Sequence, residues 1–170
     1  VKGSAVIAVH VHDAEPGAAG RGGFLADIIL DDGTYIGTGI EGDEWKASAD
    51  DSFLKDKDWI EPDFDDSGWA SGQAQLGYGD GDEATLVSYG TDAADKHITT
   101  YFRHTFTAIA PSALSLQLLR DDGAVVYLNG TQVFRTNMPG GTVGAKLAPA
   151  RNVREILMAA ADAFISMGLP

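Results

Sequence analysis

The sequence predicts an all-β sandwich followed by one C-terminal α-helix. Glycine accounts for 21 of the 170 residues and is spread along the chain, which is typical of a β protein with many turns. Asn129 and Gly130 lie between two β-rich runs and form the strongest short hairpin signal that a sequence can carry. Residues 98–108 alternate between two faces, one of which carries Phe102 and Phe106, and this period of two predicts a strand.

Composition limits the classes of protein and partner. A chain of 170 residues that is 44% hydrophobic can bury one core, and no apolar run approaches the length of a membrane span. The formal net charge of −13 repels nucleic acid and anionic lipid and suits neutral polysaccharides and cations. Cysteine is absent, so disulfides and thiol nucleophiles are excluded. Residues 1–11 lack the basic start and cleavage site of a secretion signal.

The first third of the chain predicts three strands and a loop. Apolar residues alternate with His10 and His12 in the first stretch, so both histidines are expected on the face opposite the valines. The next strands are bounded by glycine-rich or Asp-Asp-Gly turns. The predicted elements are strands at 5–12, 24–30 and 35–40, with the first two forming an antiparallel pair, and an acidic loop at 41–58.

The rest of the chain predicts an irregular turn, a long loop, four strands and a helix. Asp65, Asp66 and Ser67 can each cap backbone donors, which predicts an irregular or short helical turn at 59–69. In the tail, apolar residues recur at helical spacing from Val153 to Ile165. The elements are a loop at 73–97, strands at 98–108, 113–120, 124–130 and 131–137, and a helix at 152–169.

Four ordered motifs carry a family resemblance over residues 59–139. They are FDDSGW, LGYGDGDEAT, ITTYFRHTF and LRDDGAVVYLNGTQVFRTNMP. Together they resemble the galactose-binding-like jelly-roll modules that are attached to many extracellular bacterial enzymes and surface proteins. The sugar-binding domain of family 2 glycoside hydrolases is a looser relative. The resemblance implies a jelly-roll sandwich and an extracellular or cell-surface location, but this fold serves many ligands.

The order of the blocks differs from the family pattern. GSAVIAVHVH and GFLADIIL resemble the closing strands of such modules, yet they precede the rest. Because an open sheet edge is costly, we expect residues 5–30 to close the sandwich of 59–139, within one chain or exchanged between two. The domain then spans 1–148, and a linker and helix follow at 149–170. The helix, like strand exchange, could join two chains into a homodimer. The other interpretation makes 1–45 the remnant of an upstream module.

The leading functional prediction is a non-catalytic carbohydrate-binding module for a poly- or oligosaccharide. Aromatic faces stack on sugar C–H surfaces, while arginine and asparagine side chains bind hydroxyl groups. Trp69 is expected in the core. Trp45 and Trp59 lie in polar surroundings that leave exposure open, although core packing is favoured for each aromatic residue taken alone. The candidate ligand-binding residues are Trp59, Tyr78, Tyr89, Tyr101, Arg103, Arg120 and Asn137.

A calcium site is predicted in the acidic loop. Asp80, Asp82 and Glu83 alternate with glycine, and carboxylate oxygens are ligands that calcium prefers. Asp92 is a further ligand from the same long loop. The family resemblance also implies a structural calcium, whereas the alternative is a solvated acidic loop.

The alternative function is a small hydrolase that depends on a metal ion, with calcium as the candidate, and acts on an ester, lactone or glycoside. Its candidate catalytic residues are His10, His12 and Asp13, since two histidines at i and i+2 on a strand point the same way and could both bind a metal. A polar outer face of an edge strand explains the same pattern. Motifs for a serine nucleophile, a phosphate loop or a dinucleotide site are absent from the sequence.

Overall fold

The computed structural model describes residues 2–13, 22–37, 44–50, 58–79, 81–109, 114–141 and 155–161. In this part of the chain the regular elements are strands and one 3₁₀ turn at Asp58–Ile60. The strands are β1 Lys2–His12, β2 Gly22–Leu30, β3 Tyr35–Gly37, β4 Glu44–Ser48, β5 Ala70–Gln73, β6 Leu76–Tyr78, β7 Thr85–Leu86, β8 Thr99–Ile109, β9 Leu114–Asp121, β10 Gly123–Leu128, β11 Thr131–Thr136 and β12 Glu155–Ala161. The predicted all-β character is therefore confirmed.

The strands form two sheets. The first, called the β1 sheet, has the order β11-β10-β1-β8-β4-β5 and is antiparallel throughout. The second, called the β2 sheet, has the order β12-β9-β2-β6-β7, with β3 also pairing with β2. Only β6 and β7 pair in parallel among the described strands. No helix in the described ranges is long and apolar enough to cross a membrane.

One apolar core lies between the two sheets. It takes alternate residues from strands of both sheets, as the period of two requires. In β1 these are Ala5, Ile7, Val9 and Val11, whereas the even-numbered residues face the other way. The inward residues of β2, β8, β9 and β10 complete the core, among them Ile28, Phe102, Leu118 and Val126.

The two N-terminal strands lie inside the sheets. β1 is between β10 and β8, where Ile7 pairs with Leu128 on one side and His104 on the other. β2 is between β9 and β6, where Phe24 pairs with Arg120 and Leu76. The two strands do not form an antiparallel pair with each other, which corrects that expectation, because each one joins a different sheet.

A fourth strand occupies part of the predicted loop at 41–58. β4 pairs with β5 and with β8, and its burial alternates along the strand. Trp45 and Ala47 face the core, and Trp45 is fully buried, which agrees with core packing rather than with the exposure that its polar surroundings left open. Polar Lys46 and Ser48 on the opposite face made this short alternation resemble a loop.

The C-terminal stretch also differs from its prediction. Residues Glu155–Ala161 form β12, which pairs antiparallel with β9 from Arg120 to Leu114. The predicted helix is therefore wrong over these residues, and the rest of 152–169 lies outside the described part. EILMAAA is an almost continuous apolar run, which fits either period, and the edge of β9 supplies the hydrogen bonds that a strand needs.

Candidate functional site

His10 and His12 lie on the outer face of the β1 sheet, within an aromatic cluster. The centroid of the His10 ring is 4.2 Å from that of Trp59, 5.0 Å from Tyr101 and 5.4 Å from Tyr127. Its distance to the centroid of the His12 ring is 5.7 Å. We call these five side chains the histidine cluster. It is a second buried cluster, separated from the main core by the β1 sheet.

The surroundings of His10 favour the neutral form of its imidazole. Its side chain is 3% exposed, and neither ring nitrogen has a hydrogen-bond partner among the described residues. Burial, and to a smaller extent the charges of His12 and Arg135, hold the pKa of His10 well below its usual value. His12 is fully buried, with Nδ1 2.9 Å from the hydroxyl oxygen of Thr99.

A single segment covers the histidine cluster. Residues 58–69, called the cover segment, begin with the 3₁₀ turn and place Trp59 against His10. Ile60, Phe64 and Trp69 of the same segment pack on the cluster. This is the irregular turn that the sequence predicted, with the Asp65 carboxylate capping the Ser67 amide at 3.0 Å.

Arg103 anchors the cover segment to β8. Its side chain is 1% exposed, and its Nε donates to Oδ2 of Asp66 at 2.8 Å. Its Nη1 donates to the carbonyl oxygen of Trp59, and both terminal nitrogens donate to that of Glu61 at 3.2 Å. The ring of Phe64 lies 5.1 Å from the guanidinium carbon. The donors of Arg103 are thus directed at the segment rather than at solvent.

Several of the predicted ligand-binding and catalytic residues lie beneath or within the cover segment. Trp59, Tyr101 and Arg103 come together as proposed for a ligand face, but all three are buried beneath or within the cover segment. Among the alternative catalytic residues, His10, His12 and Asp13 are buried as well. β1 is an interior strand, so these side chains are not on an exposed edge. In this conformation the cover segment keeps a dissolved substrate away from His10.

Tyr78 and Tyr89 meet elsewhere, at the base of a surface loop. Their ring centroids are 5.3 Å apart in an edge-to-face arrangement. The Lys96 ammonium lies 5.0 Å from the centroid of Tyr78 and 5.2 Å from that of Tyr89, close enough for cation–π attraction to both rings. Tyr78 is buried and Tyr89 is half-buried. Tyr89 is therefore a half-buried aromatic side chain that packs on the main core and is braced by Tyr78 and Lys96.

Residues 89–97, called the Tyr89 loop, close on themselves. The His97 amide donates to the carbonyl oxygen of Tyr89 at 2.9 Å, and its ring hydrogen-bonds the carbonyl of Ala49. The Asp92 carboxylate accepts from the Ala94 amide at 2.8 Å, which fixes the tip as a turn. The side chains of residues 91–95 are exposed. A fixed aromatic ring thus adjoins exposed hydroxyl and carboxylate groups.

The last two predicted ligand residues lie at other places. Arg120 is buried on the inward face of β9 and donates to the hydroxyl of Thr136 at 3.2 Å. Asn137 is half-buried with φ at 53°, and its amide donates to the carbonyl of Asp122 at 3.1 Å. Thr136 and Asp122, to which these two residues donate, lie outside the Tyr89 loop.

The predicted calcium ligands are partly described. Asp80 lies outside the described residues. Glu83 accepts from the Gly81 amide at 2.9 Å, Asp82 is exposed, and Asp92 belongs to the Tyr89 loop. Across the described ranges, no three acidic, histidine or cysteine side chains are close enough to hold a metal ion.

Two residues important for these sites were missed by the sequence interpretation. Lys96 is a single lysine in an acidic loop, and only the folded chain brings it between Tyr78 and Tyr89. Asp66 was assigned a capping role, yet it also pairs with Arg103. Arginine is rarely fully buried without a partner, but the sequence alone shows neither that Arg103 is buried nor that Asp66 is its partner.

Comparison with known proteins gives no family to which the chain can be assigned. No protein-family model matches it, and neither do curated protein sequences or solved structures.

Proposed function

We propose that this chain is a non-catalytic carbohydrate-binding module with a jelly-roll fold, from an extracellular bacterial protein. The observation that carries the proposal is the braced Tyr89 ring beside exposed polar side chains in the Tyr89 loop. Two antiparallel sheets around one core agree with the fold that the motif resemblance implies. The motif residues Asp66 and Arg103 support it by joining the cover segment to β8.

The chemistry of the Tyr89 loop suits a sugar. The face of an aromatic ring packs on the C–H surface of a pyranose, and a ring that is already fixed loses little conformational entropy on binding. A carboxylate has about four acceptor positions, so Asp92 keeps acceptor capacity for hydroxyl groups after capping Ala94. Asp95 and Thr91 are exposed on the same loop. These groups fit a neutral poly- or oligosaccharide.

Charge narrows the ligand class. The formal net charge is −13, and the Tyr89 loop carries exposed Asp92 and Asp95. Anionic glycans, nucleic acid and anionic membranes are therefore repelled at low ionic strength. Neutral glycans experience no such penalty.

Calcium is part of the same proposal as a structural ion. Asp80, Asp82 and Glu83 would supply the oxygen ligands, with Asp92 as a further ligand. The hydrogen bond from Gly81 to Glu83 holds this turn in one conformation. Bound calcium would stabilise the folded state by mass action and would leave the chemistry of the sugar unchanged.

Titration calorimetry of the full chain against neutral and anionic glycans tests the proposal. We expect binding to a neutral glycan, and Tyr89→Ala should weaken it at least tenfold, or about 1.4 kcal/mol. The matched control is Tyr35→Ala, since Tyr35 is 58% exposed on the β2 sheet. No binding to any neutral glycan, or equal affinity for Tyr89→Ala and the unmodified chain, would contradict the proposal.

The calcium part has a separate readout. Adding a chelator should lower the melting temperature, and added calcium should restore it. An unchanged melting temperature would exclude a structural calcium while leaving the sugar result intact. Light scattering in the same buffers checks whether a homodimer forms.

A further inference from the structure

The environment of His10 is unusual for an ionisable side chain. Both ring nitrogens are buried among aromatic rings, and neither has a hydrogen-bond partner among the described residues. A charged imidazolium has two N–H donors, so in this position it would be left without acceptors. Burying such a charge is costly unless it is paired, whereas a neutral ring is tolerated.

The elements packed against His10 carry charged and titratable groups of both signs. Among the described side chains they are His12 and Asp13 on β1, Tyr101 and Arg103 on β8, Tyr127 on β10, Arg135 on β11, and Glu61, Asp63, Asp65 and Asp66 in the cover segment. Arg135 and His12 both disfavour a positive charge on His10.

Three carboxylates of the cover segment contact residues other than His10. Asp66 binds Arg103 and Lys46, and Asp65 caps Ser67. The Glu61 carboxylate lies against Gly130, where an added Cβ would come within 2.3 Å of its Oε1. None of these groups hydrogen-bonds to His10. A protonated His10 would therefore gain its missing acceptors mainly from water.

Water can reach His10 if the segment that covers it moves. The β1 sheet lies behind His10, and its main-chain ladders to β8 and β10 are continuous from residue 7 to residue 12. The cover segment is held mainly by Arg103 and by packing of Trp59, with Gly130 donating to the carbonyl of Ile60 at 3.0 Å. Movement of the segment breaks fewer main-chain bonds than opening of the sheet.

We propose that His10 is an acid-sensitive switch, and that protonation of its imidazole releases the cover segment from the outer face of the β1 sheet. The released state exposes Trp59, Tyr101 and Tyr127, while the main core between the sheets stays closed. This inference does not depend on the proposed sugar binding.

The direction of the pH effect follows from proton binding. In the open state the imidazole has its usual pKa of about 6.5, whereas in the closed state burial lowers the pKa of His10. The open state therefore binds more protons below pH 6.5. The closed state is fully favoured above that pH and loses stability as the pH falls towards the lowered pKa. For one proton the opening constant rises at most tenfold per pH unit.

Hydrogen exchange of the full chain, measured between pH 7.5 and 5.5 and corrected for intrinsic rates, tests the switch. Residues 58–69 should lose protection below pH 6.5 by up to about tenfold, while β2 and β9 keep theirs. His10→Phe should abolish the change. The control His97→Gln alters an exposed histidine and should retain it.

Three results would overturn the inference. They are constant protection of residues 58–69 over this range, an equal loss of protection in both sheets, and a full acid response in His10→Phe. If His10→Phe does not fold, His10→Gln replaces it. An NMR titration of the unmodified chain gives an independent check, since a His10 ring that titrates at or above pH 6.5 contradicts the proposed environment.

Discussion

Arg103 shows at the residue scale how one side chain joins two parts of the fold. It stands on β8 beside Ala8 of β1, where a small neighbour leaves room for the guanidinium. From there it reaches a carboxylate and two carbonyl oxygens of the cover segment. Because a buried charge without a partner is costly, removing either Arg103 or its carboxylate partner should lower the free energy of unfolding.

Arg103→Met should lower the free energy of unfolding by about 3 kcal/mol, since it removes the buried charged donor that reaches Asp66 and two carbonyl oxygens of the cover segment. Chemical denaturation measures the change. Lys46→Met is the matched control, because Lys46 also pairs with Asp66 at 3.2 Å but its side chain is 36% exposed. The control should lose less than about 1 kcal/mol. Equal losses in the two variants would mean that Arg103 does not anchor the segment.

At the element scale, local signals predicted the strands well. The β10–β11 hairpin has Asn129 at φ 46° and Gly130 at φ 78°, as the Asn-Gly signal requires for a two-residue turn. β8 presents Phe102 and Phe106 to the core, as its alternation predicted. These features depend on neighbours in sequence, so the sequence contains them.

The misplaced elements depend on neighbours in space. β4 is short and polar on one face, and it is a strand because β8 and β5 flank it. β12 is apolar enough for either period, and pairing with β9 decides its conformation. The candidate site has the same limit, since the sequence does not show that residues 59 and 101 pack on His10. The sequence therefore leaves open whether Trp59 is exposed or buried, and only the tertiary structure decides it.

The hairpin turn also joins the N-terminal strand to the sheet. The Asn129 side-chain oxygen accepts from the Val6 amide at 2.8 Å, and the Asn129 amide donates to the Val6 carbonyl at 3.0 Å. Asn129→Ala should lower the free energy of unfolding by about 2–4 kcal/mol, because it adds left-handed strain and removes an acceptor. Denaturation midpoints measure the loss.

Two further variants separate these causes. Asn129→Gly keeps the backbone conformation and should lose only the hydrogen bond, about 1–3 kcal/mol. Asn129→Asp keeps an acceptor and tolerates the positive φ, so it should stay closest to the unmodified chain. A stability of Asn129→Asp as low as that of Asn129→Ala would contradict the role assigned to the side-chain oxygen.

At the scale of the whole molecule, the N-terminal strands complete both sheets. β1 contributes four core residues between β8 and β10, and β2 contributes Ala26, Ile28 and Leu30 between β9 and β6. Without β1, the facing edges of β8 and β10 would have unpaired backbone groups. A protein with such open edges would fold poorly and aggregate. The block order that looked reversed in the sequence is thus compatible with one closed core. It also places His10 and His12 beneath the cover segment.

A cross-link between β1 and β8 tests this closure most directly. Ser4 and Thr107 are exposed and directly opposite each other in register. Opposite residues in antiparallel strands have Cα atoms about 4.5–5.5 Å apart, within the range of a disulfide. The chain has no cysteine of its own, so the pair Ser4→Cys and Thr107→Cys can form only the intended bond or a bond between chains.

The measurement is a non-reducing gel of the oxidised double variant, with Ser4→Cys and Ser115→Cys as the control, because Ser115 is exposed on the other sheet. If β1 pairs with β8 of the same chain, we expect the Ser4 and Thr107 pair to give an internally cross-linked monomer. The control pair should give no internal cross-link. Cross-linked dimers would show that β1 is exchanged between chains. A Ser4 and Thr107 pair that forms no disulfide would contradict the closure itself.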